Sequence, residues 1–346
     1  MKILVIGGSS GALEPLRTLL VDLDPDLPFA VFVVLHIAAE TESLIPEILS
    51  NHTRWHCEPA VDGDRIRAGR VVLARPDHHL LVNPGRISTP RGPKENGFRP
   101  AVDPLFRTAA MSYGERVIGI VLSGGLDDGA YGLKLIQQHG GTTLVQDPEE
   151  AEVPSMPASA IRAAVPHQVL PVGQMAAILT RLSAQGVRTM SFKRRKEKDV
   201  AERGDKALLA GSMPGPPSGF TCPDCGGALW ELDDDRILHY RCHVGHAYNG
   251  SSLLNRSDEA METALWTALR SLEESAALRR RMATKATAGS LAGLAQGYEK
   301  SSRELERQAD VIREVLLANG WKAATRENAS AEAAAPRSKS ASARRK

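Results

Sequence analysis

The sequence lacks a long apolar run, a strong charge of one sign and a cysteine framework, and each absence removes a class of protein. No stretch approaches the roughly 18 uncharged apolar residues a membrane-spanning helix needs. The opening MKILVIGG is too short an apolar run for a secretory signal, and no small-residue cleavage site follows it. It reads as a first β-strand. With 43 Lys and Arg against 41 Asp and Glu, the formal net charge is +2, which gives no electrostatic case for nucleic acid as the main partner. The local basic runs, Lys193–Lys198 and Arg337–Lys346, read as solvated linker and tail. Four cysteines in 346 residues, three of them between Cys222 and Cys242, do not make a disulfide scaffold. The expectation is a cytoplasmic protein without membrane insertion.

What is present is an ordinary globular composition, 42% hydrophobic and 24% charged. Up to about residue 185, short Val/Ile/Leu-rich runs alternate with helical patterns. Lys2–Ile6, Phe29–Leu35, Arg70–Ala74, Val117–Leu122, Thr142–Val145 and Gln168–Val172 are nearly continuous in apolar character, as strands buried on both faces are. Between them lie amphipathic segments such as Gly11–Leu20, with Leu13, Leu16, Leu19 and Leu20 on one side. The pattern predicts an α/β fold with a doubly wound, mainly parallel, Rossmann-like sheet over residues 1–185.

Residues 186–218 are charged and then rich in Pro and Gly, which predicts a flexible linker. Residues 219–250 carry three Cys and three His in a compact unit. Residues 255–320 show two stretches of helical apolar spacing. Met261, Ala264, Leu265, Ala268, Leu269 and Leu272 mark the first; Leu294, Tyr298, Leu305, Ile312 and Leu316 mark the second, with Asn319-Gly320 as a stop. The prediction is an α-helical hairpin whose apolar stripe is a candidate surface for self-association. Residues 321–346 are Ala/Ser/Lys/Arg-rich and predicted disordered.

Three segments carry candidate chemistry. In VIGGSSGALEPL a strand, a glycine turn and a helix follow one another, placing Ser9 near a helix N-terminus where free N–H groups stabilise negative charge. VFVVLHIA delivers His36 at a strand's carboxyl end, and VIGIVLSGGLDDGAYG delivers Asp128 in a Gly-rich turn after another strand. Open α/β sheets bind ligands outside these carboxyl ends, so the three residues can converge. A serine hydroxyl needs a base, and the base needs a carboxylate to fix its tautomer. On spacing alone, other readings stay open: a phosphate-binding turn at Gly7–Gly11, a core histidine at 36, a helix N-cap at Asp128. The turn does not match the dinucleotide fingerprint G-x-G-x-x-G.

VIGGSSGA, VVLHI, RPAVDPLFRTAA, VLSGGLDDGAYGL and QDPEEAEVPSMPASAI, in this order, resemble the catalytic domain of the chemotaxis protein-glutamate methylesterases of the CheB type. The resemblance implies Ser9, rather than Ser10, as nucleophile, His36 as base, and Asp128, rather than Asp127, as the orienting carboxylate. It implies hydrolysis of glutamyl methyl esters on chemoreceptor helices or related signalling proteins, with deamidation of glutamines as a companion activity and no cofactor for catalysis. The sequence departs from the pattern at Ala12, where a second glycine is usual, and at Gly125, where many members carry a methionine beside the oxyanion. The family typically has a receiver domain in front; this sequence begins at the catalytic strand, so the expectation is that control by phosphorylation in cis is absent. The alternative function is a weakly active or non-catalytic scaffold in a chemosensory complex.

FTCPDCGG and RCHVGH place Cys222, Cys225, Cys242 and His246 as a C-x2-C…C-x3-H set with sixteen residues between its halves. This spacing suits tetrahedral Zn2+ in a ribbon-like module, and a closed four-ligand site is structural. His243 and His239 are alternative fourth ligands. Cys57 reads as an incidental core residue, with His52 and His56 nearby.

Overall fold

The computed structural model describes residues 1–37, 39, 43–184, 215–232 and 236–318. The predicted disordered tail, 321–346, the Asn319-Gly320 stop and most of the predicted linker lie outside the described residues.

Seven parallel strands form the main sheet: β1 (Lys2–Gly8), β2 (Phe29–Leu35), β3 (His56–Pro59), β4 (Arg70–Leu73), β7 (Val117–Val121), β8 (Thr142–Gln146) and β9 (Gln168–Leu170). Their order is β3-β4-β2-β1-β7-β8-β9, and each neighbouring pair is parallel. A short antiparallel pair, β5 (Leu81–Asn83) and β6 (Arg86–Ser88), stands apart from it. The central strands β1, β2, β7 and β8 are buried on both faces, which is why they read as unbroken apolar runs. Ile3 and Val5 point into one core with Phe32 and Val34; Leu4 and Ile6 point into the other with Val31 and Val33. Helices α1 (Leu13–Asp22) and α6 (Val172–Ala184) line the second core; α2 (Ile45–His52) adds Leu49 to it. Helices α3 (Val102–Tyr113), α4 (Ala130–Gln138) and α5 (Ser155–Ala164) line the first. The chain proceeds outward from β1 in both directions, so the crevice between the carboxyl ends of β1 and β7 is the sheet's switch point. That is where Ser9 and the 123–129 turn lie.

Most predicted strand limits shift by one or two residues, and one strand of the main sheet was not predicted. The predicted strand at Gln168–Val172 ends at Leu170 because Pro171 stops it and Val172 already opens α6. The edge strand β3, of sequence HCEP, alternates in burial and was not predicted; Cys57 is its inward residue, buried beside Trp55, whose Nε1 donates to the Leu23 carbonyl at 2.9 Å.

A four-stranded antiparallel sheet follows: β10 (Pro217–Thr221), β11 (Ala228–Leu232), β12 (His239–Cys242) and β13 (Ala247–Asn249). It begins at Pro217, two residues inside the predicted linker. Helix α7 (Gly250–Ala288) starts directly after β13, not at 255. The chain divides into two compact units, Met1–Arg256 and Ser257–Lys346. The small sheet thus belongs to the same unit as the main one, where the sequence predicted a separate module; buried hydrogen bonds described below join them.

In the second unit, the remainder of α7 packs against α8 (Ala292–Ala318). Leu269, Ala309 and Leu316 are buried at the seam, with Leu265, Trp266, Leu272 and Ile312 against them. The ion pairs Arg313–Glu273 and Arg280–Glu306 fix an antiparallel arrangement. Much of the stripe offered above for self-association is therefore used between the two helices, while Met261 and Leu294 are exposed. No described helix is long and apolar enough to cross a membrane.

Candidate active site

Three loops at the carboxyl edge of the main sheet meet. Ser9 follows β1 and is half-buried, whereas Ser10 is exposed. The Ser9 N–H donates to the Ser123 carbonyl (2.9 Å) and the His36 N–H to the Gly8 carbonyl (3.2 Å), so the ends of β1, β2 and β7 are tied together by backbone alone. His36 Nδ1 lies 3.1 Å from Ser9 Oγ, and His36 Nε2 lies 2.7 Å from Asp128 Oδ2. The His36 and Asp128 side chains are only 5% and 1% exposed. Phe98 stacks flat on the imidazole, with ring centres 3.8 Å apart and planes 10° apart, and so limits rotation of the ring.

Glycines make these approaches feasible. A Cβ on Gly7 would sit 2.2 Å from Val102 Cγ1, and one on Gly8 would sit 2.5 Å from the Cβ of buried Ala12. A Cβ on Gly124 would fall 2.2 Å from Met156 Sδ and 2.9 Å from Ser9 Cβ. The 123–124 backbone is held there: Gly124 N–H donates to the Val153 carbonyl (2.9 Å) and Met156 N–H to the Gly124 carbonyl (2.8 Å). Gly125, by contrast, has open space where a side chain would begin.

Asp128 is the focus of the buried polar groups. Its Oδ2 also accepts the Val102 N–H (2.6 Å), and its Oδ1 accepts Asn96 Nδ2 (2.8 Å), Asp103 N–H (3.1 Å) and Gly129 N–H (2.9 Å). It therefore caps the N-terminus of α3 rather than of its own helix. Burial works to raise its pKa, but the His36 hydrogen bond and charge, with the donated amides, hold it below the ordinary carboxylate value. Asp103 goes the opposite way, well above the ordinary value, through burial and then the negative charge of Asp128. Its oxygens accept Gly132 N–H (2.7 Å) and Asn96 Nδ2 (2.8 Å). Asp127 serves a different end of the fold. Its carboxylate accepts the Ser251 N–H (2.8 Å), the Ser252 N–H (3.1 Å) and the Ser252 hydroxyl, capping α7.

Cys222, Cys225, Cys242 and His246 converge, their ligand atoms all within 4.8 Å of one another. Cys225 Sγ–Cys242 Sγ is 3.7 Å, and His246 Nδ1 is 3.6 Å from both Cys222 Sγ and Cys242 Sγ. A tetrahedron with bonds of about 2.3 Å has edges of about 3.8 Å, so the set is sized for a tetrahedral thiophilic ion. All four cysteines, Cys57 included, are free of disulfides. Tyr248 Oη donates to Asp224 Oδ2 (2.6 Å) and lies 3.6 Å from Cys222 Sγ, a second layer of support around these four side chains. His239 is not part of the cluster: it is buried, stacks on Tyr131 and sits 2.9 Å from Asn249 Oδ1. His243 is outside the converging set as well.

Asn96, Phe98, Asp103 and Asn249 were missed as site residues. Asn96-Gly97 reads as an ordinary turn, and nothing in the spacing around Phe98 or Asn249 marks burial against Asp128 or its neighbours. The signal available was RPAVDPLFRTAA, one of the family-like segments, which contains Asp103 and directly follows Asn96 and Phe98; Asn249 had none.

The family model for CheB methylesterase matches residues 4–179. A protein of Leptospira interrogans, provisionally named a protein-glutamate methylesterase/protein-glutamine glutaminase, is 36% identical over 180 residues, 52% of this chain and 93% of that one. A protein-glutamate methylesterase/protein-glutamine glutaminase of Anaeromyxobacter dehalogenans is 37% identical over 183 residues, 53% of this chain and 54% of its own. The CheB methylesterase catalytic domain of Thermotoga maritima, a crystal structure, aligns with TM-score 0.50 at 30% identity over 52% of this chain and 98% of that one. With this match on half its length, laid over the crevice that holds Ser9, His36 and Asp128, the chain belongs to the CheB methylesterase family and is an ester hydrolase.

Proposed function

We propose that the chain hydrolyses γ-glutamyl methyl esters on chemoreceptor helices or related signalling proteins, and deamidates glutamines at such positions, with Ser9, His36 and Asp128 as a catalytic triad. The observation that carries this is the unbroken Ser9–His36–Asp128 contact at 3.1 and 2.7 Å. With Asp128 ionised, the neutral ring carries its proton on Nε2, donates it to the carboxylate, and leaves the Nδ1 lone pair facing the Ser9 hydroxyl. As Ser9 Oγ bonds to the ester carbonyl carbon, its proton passes to Nδ1. The tetrahedral intermediate then expels methoxide, which takes that proton and leaves as methanol, giving a glutamyl-Ser9 ester. Water, deprotonated by Nδ1, attacks the ester; collapse returns the proton to Ser9 Oγ and releases the glutamate. For a glutamine substrate the first leaving group is ammonia. Negative charge on the carbonyl oxygen develops near the amino end of α1, where helix geometry favours it.

Methanol release from a methylated receptor fragment tests the reading. The wild type should catalyse it and Ser9→Ala should lose it; equal inertness of both toward such fragments would refute the esterase assignment.

The Cys222, Cys225, Cys242 and His246 set supports a second assignment, a structural Zn2+ that closes the small sheet. All four positions would be filled by protein, so the ion would cross-link the fold rather than bind substrate. Metal analysis of the full chain in reducing buffer should give one zinc per molecule.

A further inference from the structure

Behind Asp128 the buried hydrogen bonds continue into the small sheet, and each has a fixed direction. Asn96 Nδ2 donates to Asp128 Oδ1 and to Asp103 Oδ2, both at 2.8 Å, and so stands between two buried carboxylates. Its Oδ1 faces away and accepts the backbone N–H of Asn249 at 2.7 Å. The Asn249 side chain donates from Nδ2 to Asp103 Oδ2 (2.9 Å) and to the Asp127 carbonyl (3.0 Å). Its Oδ1 is left to accept the Nδ1–H of His239 at 2.9 Å. A carboxamide has one donor end and one acceptor end. If Asn96 were flipped, its oxygen would face Asp103 and Asp128, and its NH2 would face the Asn249 N–H. The contacts with the Asp128 carboxylate and with the Asn249 N–H would then be repulsive, and burial makes such mispairing costly. The placement of Asn249 thus selects the orientation in which Asn96 holds Asp128.

That placement depends on the small sheet. Asn249 ends β13, which begins one residue after His246, and it pairs with His239 across β12, the strand that ends in Cys242. Ala247 in turn pairs with the 94–96 segment: Asn96 N–H donates to the Ala247 carbonyl (2.7 Å), and Ala247 N–H donates to the Lys94 carbonyl (3.4 Å). Phe98, which stacks on His36, closes the same turn through its N–H to the Glu95 carbonyl (2.9 Å). The sheet's own core is Cys222, Leu229, Tyr240, Cys242, Tyr248 and Leu253, a small apolar cluster that leaves room for a further constraint on the segment. A metal at the Cys/His cluster would supply that constraint.

We propose that Asn249 is a positioning residue of the esterase site, acting through Asn96 on Asp128, and that metal occupancy of the Cys/His cluster consequently sets kcat rather than substrate affinity. This rests on the triad and the metal site proposed above.

The test uses the full chain as wild type, Asn249→Ala and Phe220→Ala, the last removing an exposed ring from the same sheet. Methanol release gives kcat and KM, metal analysis gives zinc per chain, and proton NMR reports the low-field His36 proton shared with Asp128. Asn249→Ala should keep its zinc and KM, lose about tenfold in kcat, the scale of one or two buried hydrogen bonds, and shift or broaden the His36 proton. Phe220→Ala should match the wild type in all of these. Chelation of the wild type should lower kcat by a similar factor, reversed by added zinc, and should add little in Asn249→Ala, because both loosen the same Asn249 backbone N–H on Asn96 Oδ1. The alanine variant keeps that N–H but no longer anchors it through side-chain bonds to Asp103 and the Asp127 carbonyl. An Asn249→Ala enzyme with kcat within about twofold of the wild type and an unmoved His36 proton overturns the proposal; so does chelation that slows both proteins equally. The underlying readings fail separately: activity in Ser9→Ala removes the triad, and a zinc-free wild type removes the metal half.

Discussion

Replacing Asp128 with asparagine changes one oxygen for one NH2 and should nevertheless remove nearly all activity. Five donors converge on this carboxylate: His36 Nε2 and Val102 N–H on Oδ2, and Asn96 Nδ2, Asp103 N–H and Gly129 N–H on Oδ1. An amide must set its NH2 against one group or the other. Against the second it faces three donors, each costing about 1–3 kcal/mol when left unpaired, so the NH2 will face His36 and Val102. His36 must then present a lone pair from Nε2 and carry its proton on Nδ1. That proton points at Ser9 Oγ, and the base is gone. A wrong tautomer of this kind costs on the order of 10⁴-fold in kcat, or about 5 kcal/mol of transition-state stabilisation. The assay is methanol release under saturating substrate, with circular dichroism to establish that the variant is folded. A folded Asp128→Asn protein retaining more than about one-thirtieth of wild-type kcat would refute the tautomer argument.

Other consequences are smaller and separable. Gly7→Ala should destabilise by about 1–3 kcal/mol in thermal melts, since its Cβ would meet Val102 Cγ1 at 2.2 Å; an unchanged melt would mean that β1 and α3 do not pack this closely. Gly125→Met, with nothing within 4 Å of the new Cβ, should melt within about 0.5 kcal/mol of the wild type. Burial pushes the buried His239 down to about 4 from an ordinary value near 6.5. The unfolded chain therefore binds this proton first as pH falls, so stability is lost between about pH 6.5 and 4, by about 3 kcal/mol in total. Urea melts of His239→Gln across that range should lose this part of the slope, and an unaltered slope would contradict the assignment. Chelation should lower the melting temperature of the wild type and leave Cys242→Ser unaffected; equal shifts would argue against a metal held by that thiol.

The main sheet was legible because both its faces are covered. Phe29–Leu35 has no polar residue at all, so its strand was recognised with its limits, and the placement of Ser9, His36 and Asp128 followed from carboxyl-end logic and the family-like segments. His56–Pro59 was not legible, since an edge strand of four residues containing His, Glu and Pro carries no apolar run. The convergence of Cys222, Cys225, Cys242 and His246 could be read from spacing, because paired Cys and His on two turns stand out among few residue types. The merger of their sheet with the catalytic unit could not. Asn96 and Asn249 look like surface turn residues, and their burial is decided by partners about 150 positions apart, Asn249 on Asp103 and Asn96. Long-range pairing of polar groups leaves no local period. The helix boundary at Gly250 was hidden for the same reason: its cap is Asp127, from another part of the chain.

The central claim, that Ser9 is the nucleophile activated by His36, is tested most directly by covalent trapping. A serine-reactive organophosphonate incubated with the full chain, followed by proteolysis and mass spectrometry, should label Ser9 stoichiometrically, and labelling should be lost in His36→Ala. A label on Ser10, or equal labelling of wild type and His36→Ala, would contradict the account.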